Sequence, residues 1–374
     1  MELTLLARLC SHRPQYQLSQ HTHTTKSEIA DTPHIARDEA LATVDELIRK
    51  QKTKGAPEEW IEGYLKEYES VRKLRLEALP PEEAAAIRSR VIVPRLRMIL
   101  EAKRDGRRKG RLILQGFQEP YAWDGGISSD SPVAFMATIR MMLARSGKDD
   151  VITGRDVSTA FLQSIGFGPN ETERYVSYKT HKGAPVRYHK LLGPLYGQRS
   201  ASRRWYQTIA DWLTGKKVAP DIATVALDAT ATSAAPAPGA VGASNTGAFA
   251  GYGLKQGDNE PCVFRDPVTG FTVVLYVDDI LTRGSLKQTE EFHRALGLRF
   301  DCKPEEYLAS DNELDFIGFT ISEEIQNGQR CLYLDQQQAL DQLLDSFDRS
   351  LLQPKDNPMP SKHLMHSDNS PLSC

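Results

Sequence analysis

The sequence predicts an α+β fold on three observations. Apolar residues recur at helical spacing in several separate segments, strand-like runs are grouped around turns as hairpins, and two adjacent carboxylates, Asp278-Asp279, occupy the tight bend between two apolar runs. With 374 residues the chain has room for two or three units of about 150 residues, or for one large divided domain with appendages. Composition excludes several classes at once. Hydrophobic residues make up 40% and charged ones 26%, which fits neither a fully disordered chain nor a membrane protein. The 47 Lys and Arg against 49 Asp and Glu leave a net charge of -2, so any affinity for nucleic acid has to be a local property. Cys10, Cys262, Cys302, Cys331 and Cys374 form no Cys-x-x-Cys pair and no Cys/His quartet, which argues against a disulfide scaffold and against structural zinc. The most apolar run, 272–281, is interrupted by Asp278 and Asp279, so no membrane partner is expected.

Taken in order, residues 1–35 show no periodicity and read as a disordered leader. Residues 36–80 form a helical extension: Leu41, Val44, Leu47 and Ile48, then Trp60, Ile61, Tyr64, Leu65 and Tyr68, fit two amphipathic helices parted by Gly55-Ala56-Pro57. Ten Arg and Lys fall within 84–111, where 97–100 and 111–117 read as two strands around Asp105-Gly106, a hairpin with a basic tip suited to phosphates or simply solvated. An apolar helix is expected over 132–144, a buried strand over 151–157, a strand pair at 175–178 and 187–190, and a helix over 201–213. Residues 214–250 then change character, with 12 Ala among 216–250, and read as a low-complexity insertion. Beyond it come short strands at 262–264, 271–276 and 280–282, a helix at 289–298, strands at 314–321 and 331–334 around Asn327-Gly328, and a helix at 336–347 before a tail.

The chemistry is carried by carboxylates. Apolar strands do not place two charges side by side without a partner, and a divalent cation is the natural neutraliser of Asp278 and Asp279. Magnesium takes oxygen ligands and usually keeps waters, so a third carboxylate from a distant segment is expected. Asp156, at the end of a buried strand and before Val157-Ser158-Thr159-Ala160-Phe161-Leu162, is the candidate, although a lone Asp there is also a common turn residue.

Several ordered blocks together resemble one family, the reverse transcriptase domain of copia-type LTR retrotransposon Pol polyproteins. They are Lys109-Gly110-Arg111-Leu112-Ile113-Leu114-Gln115-Gly116-Phe117, Asp156-Val157-Ser158-Thr159-Ala160-Phe161-Leu162, Leu195-Tyr196-Gly197 running to Trp205-Tyr206, Tyr276-Val277-Asp278-Asp279-Ile280-Leu281 and Phe316-Ile317-Gly318. The resemblance covers about Val91 to Pro360 and implies a right-hand polymerase of fingers, palm and partial thumb, with an antiparallel palm sheet backed by helices and a helical N-terminal extension. The implied division is 84–213 for fingers and first part of the palm, 251–360 for the rest of the palm and the thumb side, and 361–374 for a tail.

The resemblance also implies roles. Asp156, Asp278 and Asp279 would be the catalytic carboxylates and, with the Val157 carbonyl, would hold two Mg²⁺ ions, for which Mn²⁺ is a substitute. Phe161 would be the steric gate under the sugar, with core packing as the alternative. Lys109 and Arg111 would face the dNTP phosphates, and Tyr196 and Gly197 would line base and ribose, the glycine allowing close approach of the template. Phe316, Ile317 and Gly318 would form the primer grip, and Lys303 would protonate the pyrophosphate, or be a plain surface lysine. Partners would be an RNA or DNA template with primer, dNTPs, an integrase upstream and a ribonuclease H downstream, and the setting a cytoplasmic virus-like particle and the nucleus. Ser200 and Ser202 replace the usual Gln and Pro of the block after Gly197. A catalytically inactive, nucleic-acid-binding transposon relic is the competing reading.

Overall fold

A computed structural model describes residues 35–103, 106–123, 129–216, 251–345 and 347. The chain divides into Met1–Pro33 and His34–Cys374, and every described residue belongs to the second unit. The leader, the Ala-rich insertion from 217 on, the Arg104-Asp105 part of the basic hairpin tip and the tail lie outside the described residues.

Helices α1 (Arg37–Gln51) and α2 (Pro57–Arg75) each carry acids in the first turn and bases in the last, matching the helix dipole. Lys52 ends α1 in the left-handed region, and Pro57 opens α2 while the Glu59 carboxylate accepts the Ala56 N–H. Strand β1 (Leu76–Ala78) and the exposed helix α3 (Pro81–Arg90) lead into the hairpin β2 (Leu96–Ala102) and β3 (Arg108–Leu114). Its inward face carries Leu96, Met98, Leu100, Leu112 and Leu114. A Cβ placed on Gly63 of α2 would lie 2.4 Å from the Arg108 carbonyl oxygen, and one on Gly110 would lie 3.0 Å from the carbonyl oxygen of Gly63. Helix and strand therefore touch backbone to backbone through two glycines. The helices of 36–80 are not a free-standing unit: Trp60, Tyr64, Tyr68 and Val71 share one core with Met98, Leu112, Val176 and Leu195.

Helix α4 (Met136–Ala144) precedes β4 (Val151–Asp156), and β5 (Arg174–Tyr178) pairs with β6 (Arg187–Leu191), which also takes β1 on its other edge. Helix α5 (Ala201–Leu213) follows, then β7 (Lys255–Gln256), β8 (Val263–Arg265), β9 (Thr272–Tyr276), β10 (Asp279–Gly284), helix α6 (Leu286–Arg299) and β11 (Glu306–Tyr307). Six of these strands make the central sheet in the order β11-β4-β10-β9-β8-β7, antiparallel throughout. Residues 272–275 of β9 are all buried, which is why that strand is continuously apolar instead of alternating. Trp205 and Trp212 of α5, Phe292 of α6 and Phe300 pack over the sheet, with Trp212 and Phe300 edge to face at 5.6 Å.

The expected single strand over 314–321 is instead a hairpin. Strands β12 (Leu314–Phe316) and β13 (Phe319–Gln326) are joined by Ile317-Gly318, both at positive φ, as a two-residue turn between right-twisted strands requires. Strand β14 (Gln329–Asp335) returns around Asn327-Gly328, and helix α7 (Gln337–Asp345) follows.

Candidate active site

Strand register assembles the carboxylates. In the antiparallel pair β4–β10, Asp156 is directly opposite Asp279, and Asp279 in turn is paired with Tyr276 of β9. Only Val277 and Asp278 remain for the β9–β10 bend, so one carboxylate ends a strand, one sits in the bend and one begins the next strand. Val277 has φ 56°, a left-handed conformation that a β-branched side chain resists. Two hydrogen bonds hold it there: the Trp205 indole N–H donates to the Val277 carbonyl at 2.6 Å, and the Val157 N–H donates to the Asp278 carbonyl at 2.8 Å. The backbone after Asp156 is thus tied to the bend that carries Asp278.

These carboxylates crowd one another away from water. Burial raises the pKa of Asp278, with Asp156 adding to the effect, and burial followed by the charges of Asp278 and Asp156 pushes Asp279 up to about 7. One ammonium stands among them: Lys303 Nζ lies 2.9 Å from Asp156 Oδ2, while the Lys303 N–H donates to the Asp156 carbonyl. Arg155 donates from Nε to the Lys303 carbonyl, which fixes that loop against β4. As they stand, no three His, Cys, Asp or Glu side chains among the described residues gather around a common ion position. A desolvated, mutually repelling, all-oxygen donor set with a single lysine does, however, fit a hard divalent cation that keeps several waters.

Beyond Asp156 the chain turns sharply, with Thr159 at φ 46° before one 3₁₀ turn, Ala160–Gln163. This leaves Phe161 half-buried, its ring 5.3 Å from that of Tyr196. The guanidinium of Arg111 lies over the other aromatic, 5.5 Å from the centre of Tyr196, and its charge also reaches Asp278. Burial raises the Tyr196 phenol pKa, with the negative charge of Glu67 next, so it is neutral and able to donate at neutral pH. Arg111, Tyr196, Phe161 and the carboxylates are therefore brought together.

Lys109 is placed differently. It shares a face of β3 with Arg111, but its charged neighbours are Arg111, Glu67, Lys103 and Glu101, and burial lowers its pKa. Gly197 makes a close backbone approach within the chain itself. At φ 82° a Cβ there would lie 2.2 Å from the Leu114 carbonyl oxygen, so the close approach is made by β3. Leu114 also donates its N–H to the Tyr196 carbonyl at 2.7 Å, which joins two of the sequence blocks. Phe316 is buried in the core, so only Ile317 and Gly318 form the outer tip of their hairpin; Leu314 packs within 3.8 Å of the Cβ position of Gly154 on the carboxylate strand.

Two residues here had no reading as site residues in the sequence. Trp205 was part of a recognised block, but its bond to Val277 is non-local and leaves no local pattern. Arg75, fully buried at the end of α2, donates to the carbonyls of Leu162 at 2.5 Å and Ser164 at 2.6 Å, just after Phe161. In sequence it reads only as another base in a last helical turn.

Residues 80–231 match the family described as reverse transcriptase (RNA-dependent DNA polymerase). That stretch is similar to a reverse transcriptase domain. No curated protein matches the chain in sequence. Among solved structures, similarity extends to telomerase from Candida albicans in complex with a fragment of telomeric RNA, at 11% identity and TM-score 0.36 over 70% of this chain and 50% of that one. It extends also to apo telomerase from Candida tropicalis truncated from the C-terminal domain, at 10% identity and TM-score 0.38 over 75% of this chain and 60% of that one. The chain thus spans about half the length of the first of these structures.

The matched stretch contains Lys109, Arg111, Asp156, Phe161, Tyr196, Gly197 and Trp205 but ends before Asp278. The pairing of β4 with β10 unites its Asp156 with the other two carboxylates. An antiparallel sheet backed by helices, carrying the three carboxylates, agrees with the right-hand polymerase fold that the resemblance implies.

Proposed function

We propose that the chain is an RNA-directed DNA polymerase of the copia type that adds dNTPs to a primer 3′-hydroxyl with two bound Mg²⁺ ions. The observation that carries this reading is the convergence of Asp156, Asp278 and Asp279 on adjacent strand ends, with Arg111 and Tyr196 facing them from the fingers side. Asp156 and Asp278 would be the principal ligands, Asp279 a ligand or an orienting group, and the Val157 carbonyl a further oxygen. When bound, the ions would favour the primer alkoxide and neutralise charge on the departing pyrophosphate. Mn²⁺ would serve in their place.

The chain's own groups supply position and charge. Arg111 sits over Tyr196 to receive the triphosphate, and Lys109, further along the same face of β3, extends that positive edge. Phe161, stacked near Tyr196, stands where a ring would exclude a ribose 2′-hydroxyl. The Ile317-Gly318 tip is offered to the primer strand. Lys303 is the counter-charge of Asp156, and it can give a proton to pyrophosphate only after its ammonium leaves that carboxylate. Template with primer and dNTPs are the substrates, and integrase and ribonuclease H segments of a Pol polyprotein the covalent neighbours, in virus-like particles and nucleus.

The test is primer extension on poly(rA)/oligo(dT) with Mg²⁺, comparing the chain with Asp278→Asn. Incorporation of dTTP abolished by the substitution supports the polymerase. Silence of the unsubstituted chain supports the inactive nucleic-acid-binding relic.

A further inference from the structure

On the outside of the fingers, α1, α3, β2 and the β5–β6 connection enclose a groove of about 740 Å³ that contains none of the residues assigned above to chemistry. Arg88, Arg95, Arg97, Lys179 and Lys182 line it, all exposed, and among the described residues none of the five has a carboxylate partner. The one acid in the lining, Glu46, is already engaged: it pairs with Lys50 and accepts the Lys182 N–H at 2.7 Å. Five uncompensated cations in one concavity repel each other, and a fold keeps such an arrangement at a cost unless an anion of matching spacing relieves it. The surface between the cations is partly apolar, with Val91, Val186 and the half-buried Tyr188.

We infer that this groove binds the sugar-phosphate backbone of single-stranded nucleic acid, apart from the carboxylate site. Multiple separated cations suit successive phosphates, and the partly apolar floor, with Tyr188 between Val91 and Val186, accepts unstacked bases without reading them. A duplex keeps its bases stacked inside and offers nothing to that floor. The groove is not built from the matched reverse transcriptase stretch alone, since Glu46, Leu47 and Lys50 come from α1. It binds without dNTP or divalent cation, so it stands or falls separately from the polymerase reading.

The experiment is fluorescence anisotropy of the full chain with labelled oligo(rU) and oligo(dT) in EDTA over a series of salt concentrations. The variant Arg95→Ser/Arg97→Ser/Lys179→Ser/Lys182→Ser is expected to lose at least tenfold in affinity at low salt. The slope of log affinity against log salt should shrink by about 3, at roughly 0.7 per lost phosphate contact on a single strand. The charge-preserving Arg95→Lys/Arg97→Lys variant should bind as the unsubstituted chain does, which separates charge from misfolding. Equal affinity for the two oligonucleotides places recognition on the phosphates; a preference for oligo(rU) lost in the quadruple variant also supports the groove and adds a 2′-hydroxyl contact. An unchanged salt slope in the quadruple variant, or equal competition by poly-glutamate of the same charge, overturns the inference.

Discussion

The Trp205 indole donates a 2.6 Å hydrogen bond to the carbonyl of Val277, the residue that must sit at φ 56° for Asp278 to occupy the bend between β9 and β10. A buried aromatic on a helix thus maintains an unfavourable backbone conformation on the sheet beneath it, and its edge-to-face contact with Phe300 at 5.4 Å fixes the ring.

Trp205→Phe removes the indole donor together with part of the buried bicyclic ring. We expect a stability loss of about 1–3 kcal/mol from the orphaned carbonyl. In primer extension, kcat should fall roughly 10- to 100-fold from displaced carboxylates, with KM for dNTP changed much less. Thermal unfolding and steady-state kinetics on the same preparation read both; an unchanged kcat would show that the bend holds itself.

Gly197→Ala places a methyl group where the Leu114 carbonyl oxygen is, at a backbone angle that also disfavours it. The expected cost is roughly 3 kcal/mol or more, read as a lower urea midpoint. Wild-type stability in this variant would mean that β3 can move away from Tyr196.

Phe161→Val opens the space beside Tyr196 while leaving the three carboxylates in place. The preference for dTTP over UTP in kcat/KM should fall by about 10- to 100-fold, the range that steric discrimination in a pocket supplies. If the ratio does not move, Phe161 is only packing.

The two buried histidines should weaken the fold as pH falls, while Asp279, held up at about 7, works in the opposite sense because protonation relieves its burial. Burial depresses His189 to about 4, with the Arg187 charge adding, and depresses His293 to about 4, with Arg155 adding. The unfolded chain takes up these protons near pH 6.5. Their contribution is therefore complete above that value, declines as pH falls from 6.5 towards 4, and levels off below. Each group is worth on the order of 3 kcal/mol across that window. Glu39, lowered chiefly by its hydrogen bonds from Arg187, adds a further loss as pH falls below about 4.5. The change in urea midpoint between pH 7 and pH 4.5 should be less unfavourable in His189→Leu than in the unsubstituted chain, which isolates the histidine from the opposing Asp279; the same pH dependence in both would refute the assignment.

The sequence made the carboxylates legible because charge inside an apolar run is rare enough to be noticed, and the ordered blocks supplied their partners. It also showed α5 correctly, since Trp205, Ile209 and Trp212 repeat at helical spacing. The residue pattern alone did not show the β12–β13 turn, since Phe316-Ile317-Gly318-Phe319 reads as one apolar strand; only the resemblance, which implies a primer-grip hairpin there, pointed to it. The backbone that approaches Gly197 was hidden for a related reason. A glycine announces a close approach but not which backbone makes it. Trp205 and Arg75 act on carbonyl oxygens far away in sequence, and no local pattern records such a bond.

Arg75 moves the edge of the mechanical unit. It lies before the stretch that the family match recognises, yet its guanidinium holds the C-terminal side of the turn bearing Phe161, and Gly193 leaves room for it where a Cβ would be 2.3 Å from its Nη1. A protein begun only at residue 80, where the family match starts, would retain Asp156, Asp278 and Asp279 and lose the brace beside Phe161, together with the aromatic wall on which β3 rests. Ancestry and load path are drawn along different lines in this chain, and the N-terminal helices fall inside the second.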